Sequence, residues 1–161
     1  MIILDIETTG FSPNRDKIID FYAIKVTPKL EIIDSFESLV NPRIPIPSRI
    51  TEITSITNEM VKDAPIFREI KDQIWHFVQN QPIFGYYVNF DKRFLSAFDL
   101  RMGIAPFHDY STYVKKQVPG AQSYKLTAIA KMFNINYKAH RAKADVMALH
   151  ALMKKLGYSF A

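Results

Sequence analysis

The spacing of apolar residues changes along this 161-residue chain and divides it into strand-forming and helix-forming stretches. Ile2-Ile3-Leu4 opens a first short apolar run, and Ile18–Val26 and 30–40 read as two further strands around a Pro28-Lys29 turn. Three prolines between 41 and 47 remove backbone donors and impose an irregular connection. Short helices are expected at 51–56 and 58–61. A longer helix follows at 66–78, where Phe67, Ile70, Ile74, Phe77 and Val78 form one stripe. The apolar run 83–88 reads as a buried strand, and Asn89 is placed to cap a helix over 91–102. A brief strand from Phe107, a helix over 126–133 and a closing helix over 144–156 complete the pattern. An early meander followed by alternating strands and helices predicts a mixed β-sheet covered by helices, an α/β fold.

Composition narrows this picture only a little. An apolar fraction of 48% and an aromatic fraction of 13% belong to a globular chain, and 161 residues without a linker or repeat predict a single domain over 1–161. Cysteine is absent, which excludes a disulfide framework and a thiolate metal site and fits a cytoplasmic protein. The opening MIILDIETTG has neither a basic segment nor a long apolar one, so neither a signal peptide nor a membrane span is expected. A net charge of +5 suits a polyanionic partner but serves solubility equally well, so it supports the motifs without carrying them.

The acidic residues carry more. Asp5 and Glu7 lie two apart on a predicted strand and therefore project from one face. Two adjacent carboxylates on a central strand repel each other and resist desolvation, and a divalent cation such as Mg²⁺ or Mn²⁺ removes both penalties. An exposed edge strand with solvated acids is the plain alternative for this pair alone. Asp91 is followed by Leu95, Phe98 and Met102, and Asp145 by Leu149, Leu152 and Leu156, at identical spacings. On a helix those offsets fall within about 40° of the starting residue, so each aspartate heads a core-facing stripe. Stabilisation at a helix N-terminus explains either aspartate taken singly. Four inward-pointing acids together are better explained by a shared metal site. His140, five residues before Asp145, reads by itself as a solvated or capping residue. Beside a metal-bound water, an imidazole is a suitable general base near neutral pH.

These residues also form a recognisable set. DIETTG at 5–10, NFDKRFL at 89–95 and HRAKAD at 140–145 resemble the three motifs of the DnaQ-like (DEDDh) 3′→5′ exonucleases. ITEITSITNEMVKDAP at 50–65 resembles the stretch between the first two motifs, and the likeness is collinear over essentially the whole chain. Within that family it is nearest to the proofreading exonuclease domains and epsilon subunits of bacterial DNA polymerase III.

The resemblance implies a ribonuclease H-like fold, two Mg²⁺ or Mn²⁺ ions held by Asp5, Glu7, Asp91 and Asp145, and His140 as general base. It implies that Asp5 bridges the ions, with Glu7 and Asp145 on the nucleophile side and Asp91 on the other. Thr8, Thr9 and Phe11 match positions that cradle the 3′-terminal nucleotide, although Phe11 fits a core position equally well. The tyrosine branch of the superfamily would need tyrosine at position 141, which is arginine here. A departure lies at Tyr86-Tyr87, where family members commonly carry His-Asn. The expected substrate is the 3′ end of single-stranded or frayed DNA, released as nucleoside 5′-monophosphates, with a DNA polymerase as a possible partner. An RNA exonuclease of the same fold (RNase T-like or oligoribonuclease-like), an inactive nucleic-acid-binding module and a small-molecule nucleotide phosphatase are the competing readings.

Overall fold

The computed structural model describes residues 1–159. Five strands form one sheet: β1 (Ile2–Thr8), β2 (Ile18–Val26), β3 (Ile32–Leu39), β4 (Ile83–Gly85) and β5 (Phe107–Asp109), in the order β3-β2-β1-β4-β5. The first three pair antiparallel as the meander requires, whereas β4 and β5 add on in parallel. Parallel addition needs a crossover. Helices α1 (Ser48–Thr54), α2 (Asn58–Val61) and α3 (Phe67–Val78) lie in the connection to β4. Next come α4 (Asn89–Phe98) and a 3-10 turn (Leu100–Ile104) before β5, and α5 (Tyr110–Gln117), α6 (Leu126–Met132) and α7 (Ala142–Leu156) after it.

β1 is central, and alternation sends its side chains into two cores. Ile2, Leu4 and Ile6 join Phe21 and Ala23 of β2 under Ile70, Ile74 and Phe77 of α3 and Phe94 and Leu95 of α4. Ile3 faces the other way, with Ile24, against Val146, Leu149 and Leu152 of α7 and Val114 of α5. Asp5 and Glu7 continue the Ile3 row by the period of two, so the α7 side of the sheet receives them. The mixed sheet flanked by helices is the architecture expected from the sequence.

Some local expectations fail for identifiable reasons. The strand expected over 83–88 stops at Gly85, because Tyr87 adopts a left-handed backbone (φ 55°) that turns the chain. Gly85 permits this turn: a Cβ there would lie 2.5 Å from Val88 Cγ2 and 3.1 Å from the Leu4 carbonyl. Asn89 does not cap α4. Val88 occupies the cap position without a side-chain hydrogen bond, and Asn89 is already helical. That helix ends at Phe98 and does not reach Met102; Asp99 is extended (φ −148°) and accepts from Arg101 N–H to start the 3-10 turn. Met102 is still buried at the end of the stripe. Helix α5 was not anticipated. Its YSTYV start has strand propensity, but Asp109 accepts from Ser111 N–H at 2.9 Å and two lysines close the last turn.

Candidate active site

β1 delivers Asp5 and Glu7, and α7 delivers Asp145 from the layer above. One carboxylate oxygen from each of the three lies within 4.8 Å of the others. Asp91 enters from the first turn of α4 and is buried, 3% exposed. The pairing of β1 with β4 ends at Ile3 and Phe84, which leaves the edge of β1 open beyond it. Asp91 Oδ1 takes that place, accepting from Ile6 N–H at 3.0 Å. His140 N–H donates to Asp145 Oδ2 at 2.8 Å, and Tyr137 O–H donates to Oδ1 at 3.1 Å. Asp5, Glu7, Asp145 and His140 line one cavity of about 210 Å³, together with Tyr86, Tyr87 and Leu126.

The electrostatics are those of crowded carboxylates. Burial, and then repulsion by Asp91, Glu7 and Asp145, holds Asp5 well above the usual carboxylate range. Glu7 is pushed up to about 8 by burial and by Asp145 and Asp20. Burial pushes Asp91 up to about 8, against the opposing hydrogen bonds from its own and the Ile6 N–H groups. Asp145 is raised by burial, and the bonds from Tyr137 and His140 moderate the shift. A site that makes four carboxylates resist ionisation is one that a divalent cation stabilises, and oxygen-only donors are the choice of hard cations. The donor set fits such an ion.

The sequence profile of the exonuclease family matches residues 2–153. The chain belongs to that family. A DNA polymerase III PolC-type of Caldanaerobacter subterraneus subsp. tengcongensis is 33% identical over 159 residues, 96% of this chain and 11% of the polymerase. The chain thus spans about a tenth of the first relatives it matches. The DNA polymerase III subunit epsilon of Aquifex aeolicus is 30% identical over 149 residues, covering 89% of this chain and 73% of that subunit. Among solved structures, exonuclease X in complex with 5′ overhanging duplex DNA superposes with a TM-score of 0.75 at 25% identity, over 98% of this chain and 93% of that one. The fold is ribonuclease H-like.

The site also contains groups that the sequence did not single out. Asp20 sits opposite Glu7 on β2 and is 3% exposed. It accepts from Arg141 Nε at 3.0 Å and from Ala142 N–H, and so supplies the N-terminal cap that α7 lacks from its own Arg141. Burial still raises Asp20, with Arg141 opposing. His140, between Tyr137 and Arg141, has a left-handed backbone (φ 68°), and its loop is tied at both ends to acids. Only the pattern of an aromatic three residues before His140 was available to flag Tyr137.

Thr8 and Thr9 are buried and organise the β1–β2 turn. Thr8 O–H donates to Gly10 O at 2.6 Å, and Thr9 Oγ1 accepts from Lys17 N–H at 3.0 Å. Phe11 is 76% exposed and meets Phe90 edge-on at 6.4 Å, which removes the core alternative for it.

Proposed function

We propose that the chain is a divalent-metal-dependent 3′→5′ exonuclease that hydrolyses the terminal phosphodiester of DNA and releases nucleoside 5′-monophosphates. The convergence of Asp5, Glu7 and Asp145 oxygens within 4.8 Å, in a cavity that His140 also lines, carries this reading. In it Asp5, Glu7 and Asp145, with Asp91 behind them, would hold the divalent ions, Mg²⁺ or Mn²⁺. Bound there, such ions would supply positive charge to the phosphoryl and leaving oxygens and would acidify a water. His140 accepts the proton of the attacking water, and its exposure lets that proton pass to solvent. Tyr137 and the His140 N–H fix the Asp145 carboxylate in one rotamer. Exposed Phe11 offers a ring to the 3′-terminal base, and Thr8 and Thr9 contribute by shaping the turn beneath it. The polymerase III relatives make DNA the favoured substrate and a DNA polymerase the favoured partner.

The test uses 3′-labelled single-stranded DNA, duplex DNA with a mismatched 3′ end, and RNA, each with Mg²⁺, Mn²⁺ or EDTA. Mononucleotide release from DNA is expected with either ion and not with EDTA. It should be lost in Asp5→Ala and lowered on the order of 100-fold or more in His140→Ala. Release that survives EDTA or Asp5→Ala overturns the reading, and a preference for RNA overturns the choice of substrate.

A further inference from the structure

Tyr87 is half-exposed, at 43%, on the wall of the acidic cavity, in a left-handed conformation that asparagine tolerates and tyrosine rarely adopts. Its setting is built to keep it there. Its N–H donates to Asp109 Oδ1 at 3.0 Å, and its hydroxyl donates to the Tyr124 carbonyl at 3.0 Å. Tyr86 packs against it edge-on at 5.1 Å and sends its own hydroxyl to the same carbonyl at 2.6 Å. The Lys115 ammonium of α5 stands 5.6 Å from the Tyr87 ring centroid. Among the described residues Lys115 has no carboxylate partner. An aromatic ring fixed in strain beside an unpaired cation, on the rim of a cavity full of acids, is the equipment for a polyanion that stacks.

We propose that Tyr87 and Lys115 form a subsite for the nucleotide 5′ to the scissile phosphate. The Tyr87 ring lies against that nucleotide's base or sugar, and the Lys115 ammonium contacts its phosphate. This rests on the exonuclease reading for which phosphate is cleaved. Phe11 and Phe90 form a separate aromatic pair on the β1–β2 turn and α4. In the exonuclease reading Phe11 serves the terminal base, which leaves the Tyr87 ring for the next nucleotide along. Lys115 also answers an electrostatic need, because a strand approaching four carboxylates requires a cation on its path.

The experiment compares wild type, Tyr87→Asn and Lys115→Ala. Asparagine relieves the backbone strain, so Tyr87→Asn separates loss of the ring from misfolding. Binding of 5′-fluorescein-(dT)8 is read by anisotropy in Ca²⁺ buffer. Hydrolysis is measured on (dT)8 and on the p-nitrophenyl ester of thymidine 5′-monophosphate, which lacks an upstream nucleotide. Each variant should weaken (dT)8 binding about fivefold or more. Loss of kcat/KM should be at least about fivefold greater on (dT)8 than on the ester. For Lys115→Ala, the dependence of log Kd on log salt should become shallower by about 0.7, the value for one phosphate contact on a single strand. Unaltered (dT)8 binding in both variants, or equal losses on the two substrates, overturns the subsite. Failure of wild type to hydrolyse either substrate overturns the exonuclease reading, while the binding arm still decides the subsite.

Discussion

Asp145 shows what single residues contribute to this site and how far a sequence reveals it. Its place at the head of a core-facing stripe was legible, as were the Asp5/Glu7 pair and Asp91, because spacing alone puts a carboxylate where burial is costly. The hydroxyl that holds Asp145 was not legible. Tyr137 reaches it only because the loop before α7 folds back, a contact that no periodicity encodes. Groups that orient metal ligands commonly control affinity as well as rate. Tyr137→Phe keeps the ring and deletes the donor, so the Mg²⁺ concentration for half-maximal activity should rise on the order of 10-fold. A metal titration of the initial rate checks this, and an unchanged midpoint would remove Tyr137 from the site.

At the scale of elements, agreement is best where one period rules a long segment. β2 has the bounds expected, because every position except Lys25 is buried and the run is continuous. β4 and α4 departed from expectation where one left-handed residue, Tyr87, ended the strand early and Asp99 ended the helix. The start of α7 was also hidden, since its cap comes from Asp20, 121 residues before Arg141. That bond ties the His140 loop to the sheet. Replacing Asp20 by Asn keeps the shape and removes the charge from two hydrogen bonds, which should cost about 1.5–3 kcal/mol. Urea unfolding measures the loss, and kcat should fall with it because the loop carries His140. A variant as stable and as active as wild type would show that the α7 cap needs no charge.

For the molecule as a whole, the acids make stability depend on pH and metal together. Unfolded Glu and Asp titrate near about 4.3 and 3.9, whereas Glu7 and Asp91 in the metal-free fold sit at about 8. Between those limits the native state keeps protons that the unfolded chain has released. This stabilisation is complete below the unfolded values and is lost as pH rises through about 8. In EDTA the Tm should therefore be lower at pH 9 than at pH 6, and millimolar Mg²⁺ or Mn²⁺ should raise it most at the higher pH. Calorimetry decides: a Tm in EDTA that is flat or rises over this range contradicts the acid cluster. The same fold geometry bears on how an inert form should be made. The pairing of β1 with β4 stops at Ile3 and Phe84, and beyond it the Asp91–Ile6 bond fastens α4 to the open edge of β1. An alanine at position 91 would cut that tie and free α4 from the edge of β1, whereas an asparagine keeps an oxygen to accept from Ile6 while surrendering the charge. The asparagine form is the one that should hold an uncleaved strand in a native groove.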